Sequence, residues 1–498
     1  MKLRPALLLA LIAAALLAQE LSFGLNVQDD AFISYRYARN LSEGHGLVFN
    51  LGEPVEGFTN FLWTVGLAGV IAAGGDPLWA SVWGGILASL VMLWALWAIG
   101  RPVVGDRAAL VAPALLAVNA PFALEAVQGL ETAAFAALGV VALGLMLREV
   151  EDPRRFPWSC VVLGVAALTR PEGILLFGLL HGARLLGDRP ADRAAWRRLG
   201  LGWAAFAGIV GALFAFRLAY YGQPLPNTFY AKTGGGSAQW LRGVAYIAGF
   251  VADHPALCAL ALLGAGLAAT RVQQARERLL LAITLGYGGY IVAVGGDFKV
   301  TWRFIAPFLG PLCLLAQDGL VWTTRSLAAR SRPLAAGVVG LAALAVLGSA
   351  IPSYRSMLAE ARFRAQVMED RLAVGRALAR LFPPDAVLAI HSAGTIPYAA
   401  GLRTLDMWGL SDPYIARKPV EDMGAGMAGH EKFDYPYVFG KRPDLYVPEQ
   451  DYLTDAPVKL AKVGVDAFLE NYEQRSLPLG ERWLNLFVLV EAPPAPAP

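Results

Sequence analysis

Charge is what this sequence has least of. Its 42 Lys and Arg and 39 Asp and Glu make up only 16% of 498 residues, against 56% hydrophobic residues and a mean hydropathy of +0.49. Soluble domains carry about 25% charged residues, so a string of soluble domains is excluded and most of the chain belongs in a membrane. The net charge of +3 is too small to argue for a nucleic-acid partner. Cysteine is nearly absent. Cys160, Cys258 and Cys313 lie in apolar segments without CxxC spacing, which excludes a disulfide framework or a thiolate metal site.

What charge there is lies unevenly. The first 351 residues hold 46 charged side chains and the last 147 hold 35, so a membrane body of residues 1–351 carries a soluble tail of residues 352–492. Apolar segments at 4–20, 78–99, 108–120, 131–147, 158–169, 172–186, 199–218, 255–270, 279–294, 303–318 and 333–351 predict eleven spans, the shorter ones extending into their loops. Residues 61–73 form a further apolar stretch, and the positive-inside rule decides its fate. Leaving it out, with the amino terminus inside, puts 18 Lys and Arg in inner loops and 8 in outer ones. Counting it as a span reverses most of that bias, so 61–73 is expected to be a partly inserted segment of the outer face. The tail then lies outside, in the periplasm or its equivalent. The charged start and first apolar run also fit a cleaved signal peptide, but the information-rich loop that follows favours a retained anchor.

That first outer loop, residues 22–60, contains Asp29, Asp30, Arg36, His45, Glu56 and Asn60. Asp29 or Asp30 suits the cap of a helix with Ile33, Tyr37 and Leu41 on one face, and Gly44 suits its end. A carboxylate at a helix start stays ionised, as a general base acting on a hydroxyl requires. An ordinary helix cap needs only one acid, and here there are two. Further outer-face clusters hold Glu131; Arg170 and Glu172; Asn227, Tyr230 and Lys232; and Asp297 with Arg303. Any one of these charges at a span end can be explained by pairing, but packing alone gives no reason for them to share one side. Arg36, Arg170, Lys232, Lys299 and Arg303 are suited to hold a phosphate.

The run from Asp29 to Leu41, Gly44-His45-Gly46-Leu47-Val48-Phe49-Asn50 and the run from Val55 to Thr64 closely resemble the first outer loop of bacterial GT-C glycosyltransferases. The resemblance is nearest to the terminal arabinofuranosyltransferases of cell-wall arabinan synthesis. Thr169 to Gly173, Pro226 to Lys232, Gly295 to Phe298 with Arg303, and His391 to Tyr398 with Asp406 and Asp412 recur in the same family. The resemblance implies a helical membrane bundle under a periplasmic cap. It also implies an enzyme that passes a sugar from a polyprenyl-phosphate carrier on the outer face to an acceptor hydroxyl, with Asp29 or Asp30 as base. Direct displacement at the anomeric carbon, with basic residues stabilising the departing phosphate, is the expected mechanism, and a single displacement inverts that carbon. Lys299 departs from the family, where an apolar residue is expected.

In the tail, Ser356 to Leu381 reads as an amphipathic helix or helix pair stopped by Pro383-Pro384. Ala386–Ile390, Asp444–Val447 and Leu486–Val490 read as strands, giving an α/β domain in which His391, Asp406 and Trp408 suit sugar contact. The terminal Pro/Ala stretch, 493–498, is expected to be disordered. A divalent ion held by Asp29 and Asp30 is an alternative means of bracing a phosphate. The acceptor is a cell-envelope glycan, or alternatively a secreted protein such as pilin or flagellin. A transporter or flippase of lipid-linked sugars is the rival from another class, but the inverted repeats it calls for are absent from the sequence.

Overall fold

A computed structural model of the chain describes residues 4–490 apart from Asp422 and Val463. The expected disorder of 493–498 lies outside these residues.

The membrane body consists of α1 (Pro5–Ser22), α2 (Asp29–Ser42), α3 (Phe61–Ala72), α4 (Pro77–Val104), α5 (Val111–Ala117), α6 (Ala120–Ala126), α7 (Thr132–Glu151), α8 (Trp158–Thr169), α9 (Glu172–Gly187), α10 (Arg193–Tyr221), α11 (Asn227–Lys232), α12 (Ser237–Asp253), α13 (Pro255–Thr270), α14 (Ala275–Val294), α15 (Ala306–Ala328) and α16 (Arg332–Leu381). Each of the eleven predicted apolar segments lies largely in one or more of these helices. Six described helices are long and apolar enough to cross a membrane alone, and up to eight spans result if the bent pairs α5–α6 and α12–α13 each count as one. The chain is thus a multi-pass membrane protein. At 12 residues, α3 is about 18 Å long, too short to cross. It packs mainly on α2, α4 and α8, and its Phe61 meets Phe216 of α10.

Small residues let the helices pack closely, as in other membrane bundles. A Cβ on Gly85 of α4 would lie 1.8 Å from the Ala126 carbonyl oxygen, and one on Gly264 of α13 would lie 1.8 Å from that of Leu315. The predicted boundary at 351–352 falls inside α16. This 50-residue helix, with Pro352 inside it, is about 75 Å long, leaves the bundle and continues into the soluble domain, so one helix joins the two parts.

That domain is a six-stranded mixed sheet in the order β2 (Arg403–Asp406), β1 (Val387–Ile390), β3 (Leu445–Val447), β6 (Arg482–Leu489), β4 (Leu453–Thr454), with β5 (Tyr472–Leu479) also paired to β6. β1 is parallel to both β2 and β3, while β6 is antiparallel to its neighbours. The end of α16 packs on one face through Val374 and Leu378, against Leu388, Leu445 and Leu486. The three predicted strands correspond to β1, β3 and β6. Short α17 (Thr395–Ala400), α18 (Pro413–Arg417) and α19 (Tyr435–Gly440) fill the loops that face the bundle or flank the sheet.

Candidate active site

The two acids of the first loop sit in the first turn of α2, yet neither caps it. Gln28 holds the cap position and no side chain bonds the free N–H groups there. Successive helical residues point about 100° apart, and this sends the two carboxylates to different partners.

Asp29 turns to the soluble domain. Its Oδ1 lies 2.8 Å from Nη1 of Arg371 and accepts from the Thr395 N–H at 2.9 Å, while Oδ2 accepts from the Gly394 N–H at 3.1 Å. Asp30 turns to the loop between α14 and α15. Its Oδ2 is 2.9 Å from Lys299 Nζ and 3.3 Å from Arg303 Nη1, and Arg303 Nε lies 2.8 Å from Asp297 Oδ2. Gly295 and Gly296, with φ of 82° and 68°, fold this loop back so that Asp297, Lys299 and Arg303 converge. Burial alone would raise the Asp30 carboxyl, but Lys299, Arg303 and Lys232 together outweigh it and hold it well below the usual carboxylate range. Asp297 is held down in the same way, chiefly by Arg303 against the effect of burial.

Lys232, Lys299 and Arg303 face the carboxylates of Asp30 and Asp297 in this cluster, and Glu125 acts on Arg303 from below. The Asp30 side chain keeps 39% of its accessible area, and its Oδ1 has no partner among the described residues. Lys232, at the end of α11, is exposed and forms no hydrogen bond or ion pair among the described residues, although its charge acts on Asp30 and Asp297. The soluble domain closes over this side with a run of rings. His391 lies 4.9 Å from Trp408, Trp408 lies 5.3 Å from His430, and His430 lies 5.1 Å from Phe298 in the Lys299 loop. Beneath the cations, Gln28 accepts from Lys299 and donates to Gln128, and Glu125 accepts from Thr301.

Other residues singled out in the sequence serve to hold the two domains or the helix ends. Arg36, expected at a phosphate, is 4% exposed. Its guanidinium donates to the carbonyls of Phe49, Pro397 and Leu402, to Asn50 and to Thr404. All five N–H groups are used, so none remains for a phosphate. Arg170 is likewise enclosed, 3.0 Å from Glu131 and 2.9 Å from Glu172. Glu131 also accepts from Asn60, which accepts from Ser34 and Thr64, so this network joins α2, α3, α7 and α9. Neither arginine is placed as the sequence reading expected, because backbone carbonyls in one case and two glutamates in the other already satisfy the charge.

Glu56 forms a buried ion pair with Arg217 of α10, at 2.8 Å and 2.9 Å. Arg217 escaped the sequence reading because it sits within an apolar run, Phe214 to Leu218. Asn227 donates to the carbonyls of Gly409 and Leu410, and Arg417 lies 4.3 Å over the Tyr230 ring. Both tie α11 to the soluble domain. The Asp406 carboxylate accepts from the N–H groups of Trp408 at 3.0 Å and Ser411 at 2.8 Å; burial, opposed by these bonds, pushes its pKa up to about 6. His45 is half-exposed, with Glu43 at 3.9 Å. The structure therefore assembles Asp30, Lys232, Asp297 and Arg303 of the expected set. Lys299, noticed as a departure from the family pattern, proves to be the nearest cation to Asp30, and His430 and Arg371 join without having been singled out.

No three His, Cys, Asp or Glu side chains among the described residues could share a metal ion. Asp29 and Asp30 point apart, and the nearest groups to Asp30 are cations, so the divalent-ion alternative does not fit this pair.

The fold is a GT-C-like membrane bundle under a mixed-sheet cap, and solved structures of known proteins share it. The structure superposes on that of ArnT from Cupriavidus metallidurans bound to undecaprenyl phosphate with a TM-score of 0.61, over 98% of this chain and 99% of that one, at 14% identity. Residues 61–218 match the family model described as dolichyl-phosphate-mannose-protein mannosyltransferase. Residues 356–487 match one described as a domain of unknown function (DUF8728). The chain is 30% identical over 341 residues to the terminal beta-(1->2)-arabinofuranosyltransferase of Mycobacterium tuberculosis, covering 59% of this chain and 52% of that protein. It is 27% identical over 344 residues to the Corynebacterium glutamicum enzyme of the same name, covering 57% and 47%. The chain thus spans about half the length of these relatives. By sequence it is similar to these two arabinofuranosyltransferases over somewhat more than half of its length, and by fold it is similar to ArnT over nearly all of it, in line with the resemblance of its first loop.

Proposed function

We propose that this protein is a membrane glycosyltransferase that transfers a sugar, arabinofuranose by its likeness to the two relatives, from a polyprenyl-phosphate donor to a hydroxyl of a cell-envelope glycan. The observation that carries this reading is Asp30: an ionised carboxylate with one free oxygen, beside Lys299, Arg303 and the unpaired Lys232. In the proposed step the acceptor oxygen attacks the anomeric carbon and its proton passes to Asp30. The bond between that carbon and the phosphate oxygen breaks, and the phosphate leaves with the electron pair, its charge stabilised by Lys232, Arg303 and Lys299. Inversion follows from a single displacement.

The same cations depress Asp30 before the donor arrives. A bound phosphate neutralises part of their field, so the donor itself restores basicity to Asp30. Asp29 is the weaker candidate for the base, because its two oxygens are engaged by Arg371, Gly394 and Thr395. The site lies at the cap end of the bundle, which in this reading is the outer face of the inner membrane, with the amino terminus cytoplasmic.

The purified protein in lipid nanodiscs, given a polyprenyl-phosphate arabinofuranose and an oligosaccharide acceptor, should yield the extended glycan with inverted anomeric configuration, read by mass spectrometry and NMR. Free sugar with no extended acceptor, or a retained configuration, would contradict the reading. Transfer to a pilin or flagellin peptide in place of the glycan would reassign the acceptor.

A further inference from the structure

At the end of the bundle away from the cap, α7, α9, α10 and the loops that follow α7 and α9 surround a separate cavity of about 310 Å³, whose charged lining is Glu149, Arg155, Arg184, Asp188, Arg189 and Arg198. α7 spans 20 residues, about 30 Å, between the Glu131 network and this cavity, so the two sites are a membrane's thickness apart. Four arginines line it against two acids, and both acids are already engaged. Glu149 accepts from the Ser159 N–H at 2.8 Å and from its hydroxyl at 2.7 Å, and Asp188 is bonded to Arg278.

The central arginine is the unusual one. Arg184 is 6% exposed and lies 3.6 Å from Glu149, too long for a hydrogen bond. Its Nε and Nη1 are buried without an acceptor. A buried guanidinium with idle N–H groups is costly unless something supplies oxygens. Phe156, Trp158, Leu186 and Trp196 stand exposed beside the lining residues. Aromatic side chains gather at the headgroup level of a bilayer, so the mouth of this cavity opens where lipid phosphates lie.

We propose that this cavity binds the phosphate of an anionic membrane lipid, with Arg184 beneath the phosphate and Arg155 and Arg198 at the rim, a basic pocket between helix ends of the kind that suits such headgroups. This is independent of the transferase reading. The test uses the full chain in a non-ionic detergent and measures its melting temperature and its bound lipid by native mass spectrometry, with phosphatidylglycerol, phosphatidylcholine or inorganic phosphate added. Phosphatidylglycerol should stabilise the protein and remain bound, and phosphatidylcholine should do neither. The double variant Arg155→Gln/Arg198→Gln, which leaves the buried group in place, should bind phosphatidylglycerol at least about 10-fold more weakly, as expected for losing charge-assisted bonds. Arg184→Gln should weaken it further. Equal effects of the two lipids, or unchanged affinity in the double variant, would overturn the proposal. Stabilisation by inorganic phosphate as large as that by phosphatidylglycerol would overturn the lipid assignment.

Discussion

Asp29 and Asp30 are neighbours in the chain but belong to different halves of the molecule. Asp29 meets Arg371, at 2.8 Å, on the helix that enters the soluble domain, whereas Asp30 meets Lys299, at 2.9 Å, in the loop between α14 and α15. One acid fastens the cap and the other faces the candidate site. This division makes their roles separable by substitution.

Lys232 is exposed and has no hydrogen bond or ion pair among the described residues, so the fold should not depend on it. Lys232→Ala should leave the melting temperature unchanged and raise KM for the lipid-phosphate donor about 10-fold, the value of one charge-assisted bond. Steady-state kinetics at varied donor concentration checks this, and an unchanged KM would remove Lys232 from the donor site.

Glu56 and Arg217 are each 3% exposed. Removing one partner leaves a buried charge alone, so Glu56→Gln should cost about 3–5 kcal/mol of stability. A double replacement, Glu56→Gln with Arg217→Met, should recover part of that loss. Thermal unfolding of the three variants gives the coupling, and additive losses would show the pair to be independent.

Gly394 approaches Asp29 so closely that a Cβ there would lie 2.0 Å from the Asp29 carbonyl oxygen. Gly394→Ala should therefore push the cap from α2 and destabilise the protein by about 1–3 kcal/mol. Faster proteolysis of the domain junction would report the separation, and wild-type resistance would argue against a tight latch.

Much of this was legible in the sequence, for physical reasons. Lipid demands long apolar segments, so the helices of the bundle announced themselves. The 3.6-residue spacing of Ile33, Tyr37 and Leu41 marked α2, whose face packs with Phe49 and Phe58. Partners distant in the chain were not legible. Arg371 is one of several arginines along α16, Arg217 lies within an apolar run, and nothing local shows which acid each will meet. α12 escaped because Gln239, Arg242 and Asp253 dilute its apolar character. β5 escaped because its residues Tyr472–Leu479 are only partly covered and include Pro478. Arg36 misled because its charge suggested an anion, while the fold uses it to gather carbonyl oxygens.

His391 is buried, and this, with the charge of His430 nearby, pushes its pKa down to about 4. A histidine that is neutral in the fold and titrates at an ordinary 6.5 when unfolded contributes stability above pH 6.5 that is lost as pH falls towards 4. The loss is on the order of 3 kcal/mol. Asp406, raised to about 6 by burial, acts in the opposite sense and gains stability over much of that range. The comparison of His391→Gln with the wild type isolates the histidine: the variant should gain relative stability as pH falls from 6.5 to 4. A stability difference independent of pH would contradict this.

The central claim is that Asp30 takes the acceptor proton. Its most direct measurement is turnover of a polyprenyl-phosphate sugar by Asp30→Asn and Asp29→Asn, each at saturating donor. Loss of about 10²–10⁴-fold in kcat is predicted for Asp30→Asn. Asp29→Asn should lower the melting temperature yet keep most of the turnover. Near-normal kcat in Asp30→Asn, or loss confined to Asp29→Asn, would contradict it.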